Sequence, residues 1–315
     1  MIYIAILLIC VIAAFGLNSL YKRTNHYNNQ FVDVRKYWTK DCVPDGLQII
    51  NVGSNHPKFG FDYSDTGIRG ANLAIGPQTF EYDFAILRKN VRHLAPKAVV
   101  VFPICLQKFF LYRQENRSVH VKYYTFLNPK EIVGYSKKER IKELDYPLLF
   151  HPKRLRYLIK DARKDNRLDW TENPMKTEVE LNKDADFWIR CWDREFNIHI
   201  PSIEISEKNR EDINQNIRLM KEMIAYCHEH SLQPVIAILP VTEYLSSRFS
   251  EEYLEKRVFN YIYESAKAGA PVLNYLKDER FTSPELYINS FFFNKKGRKA
   301  FTKEMVEDLK QKGLL

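Results

Sequence analysis

Strand-length apolar runs that alternate with amphipathic helical stretches constrain the fold of this chain more than any other feature. The clearest run is 98–104, a continuous apolar stretch of the kind that forms a parallel strand covered on both faces. Further strands are predicted at 47–52, 68–75, 233–239 and 271–275, and helices at about 78–88, 207–230, 251–268 and 297–312. This alternation predicts an α/β protein, a three-layer α/β/α sandwich around a mostly parallel five-stranded sheet.

The alternation is interrupted between residues 105 and 205. Aromatic, charged and proline residues are mixed there without a regular period. We predict that this stretch is a long helical insertion or lid. The predicted organisation is therefore an apolar segment at 1–20, a polar and aromatic spacer at 21–45, and an α/β domain at 46–315 that carries the insertion.

The first segment is typical of a membrane anchor. Residues 1–17 carry no charge, and with the next three residues they reach about the 20 residues that a bilayer core requires. No basic residue precedes the apolar run, which favours an uncleaved signal or anchor over a cleaved one. The alternative is a buried helix. Five basic residues between 22 and 40 would stay cytoplasmic under the positive-inside rule, although that rule is weaker when a whole domain follows.

The charge of the chain favours anionic partners. Its 315 residues include 48 basic and 39 acidic ones, a net charge of +9. Membrane headgroups and acidic glycans would suit this balance, and so would an ordinary solvated surface. Because neither a zinc-finger spacing nor an aromatic–basic repeat is present, no nucleic-acid partner is expected. The five cysteines match no metal motif, and we predict neither a metal nor a cofactor.

Candidate site residues follow the predicted strands. In parallel sheets, ligands bind beyond the carboxyl ends of the strands. The first strand ends at a glycine that is followed at once by small polar residues and a histidine. The residues predicted to bind a ligand at these strand ends are Gly53, Asn55, Gly76, Gln78, Tyr244 and Asn289.

Four blocks of sequence, at 51–56, 72–83, 238–244 and 281–302, resemble in order and spacing those of SGNH (GDSL-type) hydrolases. The likeness is to the membrane-anchored envelope branch, which includes the D-alanyl-transfer protein of teichoic acid synthesis and relatives in capsule gene clusters. The resemblance implies an SGNH-hydrolase-like fold. It also implies acyl-enzyme chemistry, in which a serine after the first strand attacks an ester and a C-terminal Asp–His pair activates that serine.

The residues at the catalytic positions differ from the family pattern. The serine position holds Asn55, the aspartate position Asn289 and the histidine position Phe292. An amide cannot be activated as an oxygen nucleophile, and a phenyl ring cannot accept a proton. The last histidine of the chain is His230, so the usual C-terminal base is missing. We therefore expect a catalytically degenerate protein.

The expected role is a glycan- or partner-binding module in cell-envelope or capsular polysaccharide modification. The resemblance implies a domain on the extracytoplasmic side of a bacterial envelope, anchored through residues 1–20. One alternative is an active esterase or O-acyltransferase acting on an acylated polysaccharide, with Ser54 as a relocated nucleophile and His56 as its base. A purely structural alternative is that Ser54 and Asn55 cap a turn or helix while His56 packs locally. A further alternative is a structural partner in a membrane complex, which binds another protein through the 105–205 insertion.

Overall fold

The structure is a computed structural model that describes residues 2–37, 43–111, 117–161 and 177–315. These residues form two compact units. The first lies within Met1–Cys42 and Glu115–Leu168, and the second within Val43–Gln114 and Asp169–Leu315. The predicted 105–205 insertion is therefore divided, since 117–161 belongs to the first unit and 177–205 to the second. Its residues 112–116 and 162–176, and residues 38–42 of the predicted spacer, lie outside the described residues.

The second unit contains a five-stranded sheet in which every pairing is parallel. The strands are β1 Leu47–Asn51, β2 Gly70–Asn72, β3 Leu94–Ile104, β4 Gln233–Ile238 and β5 Val272–Asn274. Their order across the sheet is β2-β1-β3-β4-β5. The predicted α/β class with a five-stranded sheet is thus confirmed, and the sheet is wholly parallel.

The two units contain helices of very different lengths. In chain order they are α1 Ile2–Lys22, α2 Asn25–Asn29, α3 Asn55–Lys58, α4 Phe80–Asn90, α5 Arg117–His120, α6 Lys137–Arg140, α7 Pro147–Phe150, α8 Arg156–Asp161, α9 Glu178–Phe196, α10 Glu207–Glu229, α11 Glu243–Ser246, α12 Glu251–Leu254, α13 Asn260–Ala266 and α14 Lys295–Gln311. A π-helical stretch, Glu255–Phe259, joins α12 to α13. Together these three cover most of the helix predicted at 251–268.

The sheet is covered on both faces, as the continuous apolar strands require. Val101 and Val235 belong to one buried cluster with Phe301 and Met305 of α14, so α14 covers that face. Alternate residues of the strands point to the opposite face. There α10 packs against β4, with α4 and α13 beside it. The result is a three-layer α/β/α sandwich.

The first unit begins with α1, which exposes nearly all of its apolar side chains. Among its residues only Asn18 and Tyr21 are buried. Among the residues that the structure describes, α1 is the helix whose length and apolar composition would allow it to cross a membrane. Its carboxyl end is held by the segment around α7. The Asn18 side chain donates to the Asp145 carbonyl and accepts from the Leu148 N–H, each at 3.0 Å.

Candidate functional site

A cavity of about 130 Å³ lies at the carboxyl ends of β1 and β3. These strands are neighbours, but the chain leaves β1 toward β2 on one side and continues from β3 toward β4 on the other. Sheets of this strand order bind ligands at such a switch point, because the loops after the two strands diverge and leave a crevice. The cavity is lined by Ser54, Asn55, His56, Pro77, Gln78, Cys105, Gln107, Lys108, Leu111, Trp188, Trp192, Glu195, Phe196, Phe291 and Phe292.

The structure brings part of the predicted site together. The predicted residues that line the cavity are Ser54, Asn55, His56, Gln78 and Phe292. Those that do not line it are Gly53, Gly76, Tyr244 and Asn289. Asn55 and Phe292, which the resemblance described above aligns with a serine and a histidine, therefore line one cavity, whereas Asn289 does not line it.

The turn after β1 depends on Gly53. Its φ of +123° is in the region that favours glycine, and a Cβ there would lie 2.6 Å from Cγ of Pro57. The chain can therefore turn sharply into α3. Ser54 stands at the N-cap of α3, but its side chain makes no capping bond. Its Oγ instead accepts a hydrogen bond of 3.0 Å from the N–H of Gln78.

Asn55 lies directly on the loop that precedes α4. A Cβ placed on Gly76 would be only 1.5 Å from Oδ1 of Asn55. This close approach explains why a glycine is needed at position 76, even though that residue does not itself line the cavity. The loops after β1 and β2 are in this way packed against each other.

A buried ion pair joins the loop after β3 to helix α4. Nζ of Lys108 lies 2.8 Å from Oδ2 of Asp83, and the two side chains are only 6% and 2% exposed. Lys108 also donates to the Gln78 carbonyl at 2.8 Å. The Gln78 amide nitrogen donates to Asp83 at 2.5 Å and to the Gly53 carbonyl at 3.1 Å. The two charged groups of this network are paired with each other and also hydrogen-bonded to Gln78, which offsets the cost of burial.

His56 is 2% exposed and packs against two phenyl rings. Its ring centroid lies 4.3 Å from that of Phe291 and 6.2 Å from that of Phe292. No described residue makes a well-formed hydrogen bond to either ring nitrogen. Burial lowers the pKa of His56 to about 3, although the nearby Pro240 carbonyl favours the charged form. The ring is therefore neutral at physiological pH, and Ser54 and His56 are not hydrogen-bonded to each other.

Gln107 presents a second unpaired polar group at the cavity. It is 2% exposed, and its Oε1 accepts a hydrogen bond of 3.3 Å from the Tyr253 hydroxyl. Its Nε2 has no partner among the described residues. An unpaired buried donor costs about 1–3 kcal/mol, and such groups are typical of sites that bind water or a ligand.

Aromatic residues from α9 and the last loop form the apolar wall. Trp188 and Trp192 are one helical turn apart, and their rings lie 5.1 Å and 5.3 Å from Phe291 in edge-on contacts. Asp184 fixes α9 to this loop, since its Oδ2 accepts bonds from the Trp188 indole at 3.1 Å and from the Ser290 hydroxyl at 2.5 Å.

Asn289 and Tyr244 have local roles in the structure. Oδ1 of Asn289 accepts from the N–H groups of Phe291 and Phe292, at 3.0 Å and 2.8 Å. This bonding shapes the loop that presents both rings. The Tyr244 carbonyl accepts from the Ser247 hydroxyl at 3.3 Å.

Other reactive groups at the cavity are weakly activated. Burial raises the pKa of the Cys105 thiol despite the neighbouring Lys108, so the thiol is protonated at neutral pH and is a poor nucleophile. Within the described ranges, no group of three or more His, Cys, Asp or Glu side chains is placed to hold a metal ion. Cys10, Cys105, Cys191 and Cys227 are free, and Cys42 lies outside the described residues.

Sequence reasoning missed several cavity residues. Gln107 and Lys108 follow the apolar run 98–104 directly, so the strand-end rule that selected the loop after β1 could have found them. The sequence signal for Trp188 and Trp192 was weaker. It consisted only of their separation by four residues, which puts both side chains on one face of a helix.

Comparison with known proteins does not assign the chain to a family. No family model matches the sequence, and no curated protein matches it.

We predict that Lys108→Met lowers the free energy of unfolding by about 3–5 kcal/mol, because it leaves Asp83 buried without its cation. Denaturant unfolding of the full chain in detergent measures this change. The matched control is Lys256→Met, which breaks an exposed Lys256–Glu252 pair of 2.7 Å and should cost less than about 1 kcal/mol. Equal losses for the two variants would contradict the structural role of the buried pair.

The low pKa of His56 predicts a specific acid sensitivity. The unfolded state takes up the proton near pH 6.5 but the folded state only near pH 3, so this residue destabilises the fold progressively as the pH falls through that window. Between pH 7 and pH 4 the loss should be about 3 kcal/mol. The ring of His56→Phe cannot be protonated and should lack this part of the slope when unfolding is followed across the same pH range. Parallel slopes for both proteins would show that His56 titrates normally.

Proposed function

We propose that this chain is a catalytically degenerate, SGNH-hydrolase-like protein that acts as a glycan- or partner-binding module. The setting that the sequence blocks favour is the modification of a cell-envelope or capsular polysaccharide. In this proposal α1 anchors the protein in the membrane, and the α/β unit lies on the extracytoplasmic side of a bacterial envelope. The preferred ligand of the cavity is a glycan.

The observation that carries the proposal is the pairing of unsatisfied neutral groups with aromatic rings. His56 and Gln107 are buried; Gln107 Nε2 has no partner among the described residues, and the His56 ring has the Pro240 carbonyl nearby but no well-formed hydrogen bond. Ligand sites are typically apolar walls with a few such polar groups that fix orientation. A sugar fits this combination because its ring carries C–H faces that pack on aromatic side chains and oxygen atoms that accept hydrogen bonds.

The arrangement of Ser54 supports binding rather than hydrolysis. Nucleophilic catalysis needs the hydroxyl within about 2.6–3.2 Å of a base that can take its proton. Ser54 Oγ is held by the Gln78 N–H, and the neighbouring imidazole has a pKa of about 3. A base so weak is far from the value near neutrality that general-base catalysis favours.

An active esterase or O-acyltransferase remains the second candidate, because Ser54 and His56 line the same cavity. It would require a rearrangement on substrate binding that brings the hydroxyl and the imidazole together. The two candidates differ in the reactivity of Ser54 and in the need for the Gln107 amide as a donor.

We expect calorimetric titration of the full chain in detergent with a panel of O-acetylated and N-acetylated oligosaccharides to show saturable binding by at least one member. Gln107→Leu should weaken that binding about tenfold, because it removes a hydrogen bond worth about 1–1.5 kcal/mol. The control is Tyr263→Ala, which truncates an exposed side chain of α13 and should leave the affinity unchanged. Absence of saturable binding across the panel, or equal affinities for wild type and Gln107→Leu, would refute the glycan site.

A further inference from the structure

The first unit exposes a row of apolar side chains on the elements that pack beside α1. We call it the α7–α8 surface, and it consists of Tyr146, Leu149, Phe150, Leu155 and Ile159. Between 37% and 63% of each of these side chains is exposed. Exposed apolar side chains concentrated in one short segment are typical of an interaction surface.

This surface is fixed to the carboxyl end of α1. Asn18, which is almost fully buried, bonds to both the Asp145 carbonyl and the Leu148 N–H at 3.0 Å. The ring of Phe15 meets Tyr146 edge-on, with centroids 5.4 Å apart. Both α7 and α8 contact α1. The exposed apolar side chains of α1 and of the α7–α8 surface are therefore parts of one connected region.

The position of Asn18 along α1 determines the depth of the α7–α8 surface relative to a bilayer that α1 crosses. A helix rises about 1.5 Å per residue, so Asn18 lies about 24 Å from Ile2. A bilayer core is about 30 Å thick. If α1 crosses the bilayer, Asn18 lies near one boundary of the core, and Leu149 and Phe150 follow directly after the residue bonded to it.

The charges beside the apolar row suit anionic lipid. Lys153, Arg156 and Lys160 are exposed, and no acidic residue occurs between positions 153 and 160. Apolar side chains next to a basic face are typical of segments that lie in the headgroup region, and each cation near an anionic surface contributes about 1 kcal/mol.

We propose that the α7–α8 surface lies in the headgroup region of a bilayer that contains anionic lipid, so that the first unit rests on the membrane as well as being anchored in it. This inference rests on the membrane attachment through α1 given above. A lipid surface is favoured over a protein partner because the row continues the apolar surface of α1 at the level of the core boundary and is flanked by cations.

Quenching by brominated lipids tests the proposal on the full chain in vesicles of phosphatidylcholine with or without phosphatidylglycerol. Phe150→Trp and Leu155→Trp report on the surface, and wild-type fluorescence supplies the background. Ile9→Trp reports on α1. Phe187→Trp, at an exposed phenylalanine of the second unit, is the matched control. Lipids brominated near the headgroup should quench both surface reporters beyond the background and leave the control unquenched.

The reporters separate two kinds of failure. An unquenched Ile9→Trp would overturn the membrane attachment itself. A quenched Ile9→Trp together with surface reporters that match Phe187→Trp would overturn only the present inference and favour a protein partner at this surface. Combined Lys153→Glu, Arg156→Glu and Lys160→Glu changes should reduce surface quenching in vesicles with phosphatidylglycerol. Quenching that does not depend on lipid charge would overturn the role of the cations.

Discussion

The buried Lys108–Asp83 ion pair is the interaction on which the cavity depends. It joins the loop after β3 to the first turn of α4, and through Gln78 it holds the turn after β1. Burying two charges is costly and is tolerated when geometry and further hydrogen bonds compensate. Three loops at the cavity share this one network, so their positions are tied to one another. Preorganisation of this kind lowers the entropic cost of binding.

The same network limits the chemistry of the cavity. Gln78 uses its backbone N–H to hold the Ser54 hydroxyl, so this hydroxyl is engaged in a structural hydrogen bond. His56 is enclosed by phenyl rings that leave its imidazole neutral. The cavity thus offers the neutral imidazole of His56 and the amide of Gln107 next to aromatic surface. These properties are suited to recognising a neutral polar ligand and poorly suited to activating a hydroxyl.

Much of the fold could be predicted from the sequence, because local patterns determine it. The apolar runs at 98–104 and 233–239 predicted β3 and β4, and the helical spacing of apolar residues at 207–230 predicted α10. The division of residues 105–205 between two units could not be predicted, since the amphipathic pattern of α9 predicts a helix but not the unit into which that helix packs. For the site, Gly53 marked the turn after β1. Two other features of the site depend on tertiary contacts that no local pattern encodes. They are the pairing of Lys108 with Asp83, 25 positions apart, and the close packing of Asn55 against Gly76.

We propose that the cavity contains no activated serine. Treatment of the full chain in detergent with a fluorophosphonate ester, followed by intact-mass and peptide mass spectrometry, tests it most directly. Such reagents phosphonylate serines whose hydroxyl is activated by a base. We expect an unchanged mass for the wild-type protein at pH 7. A single stoichiometric adduct on Ser54, lost in Ser54→Ala, would contradict the account and identify an active esterase.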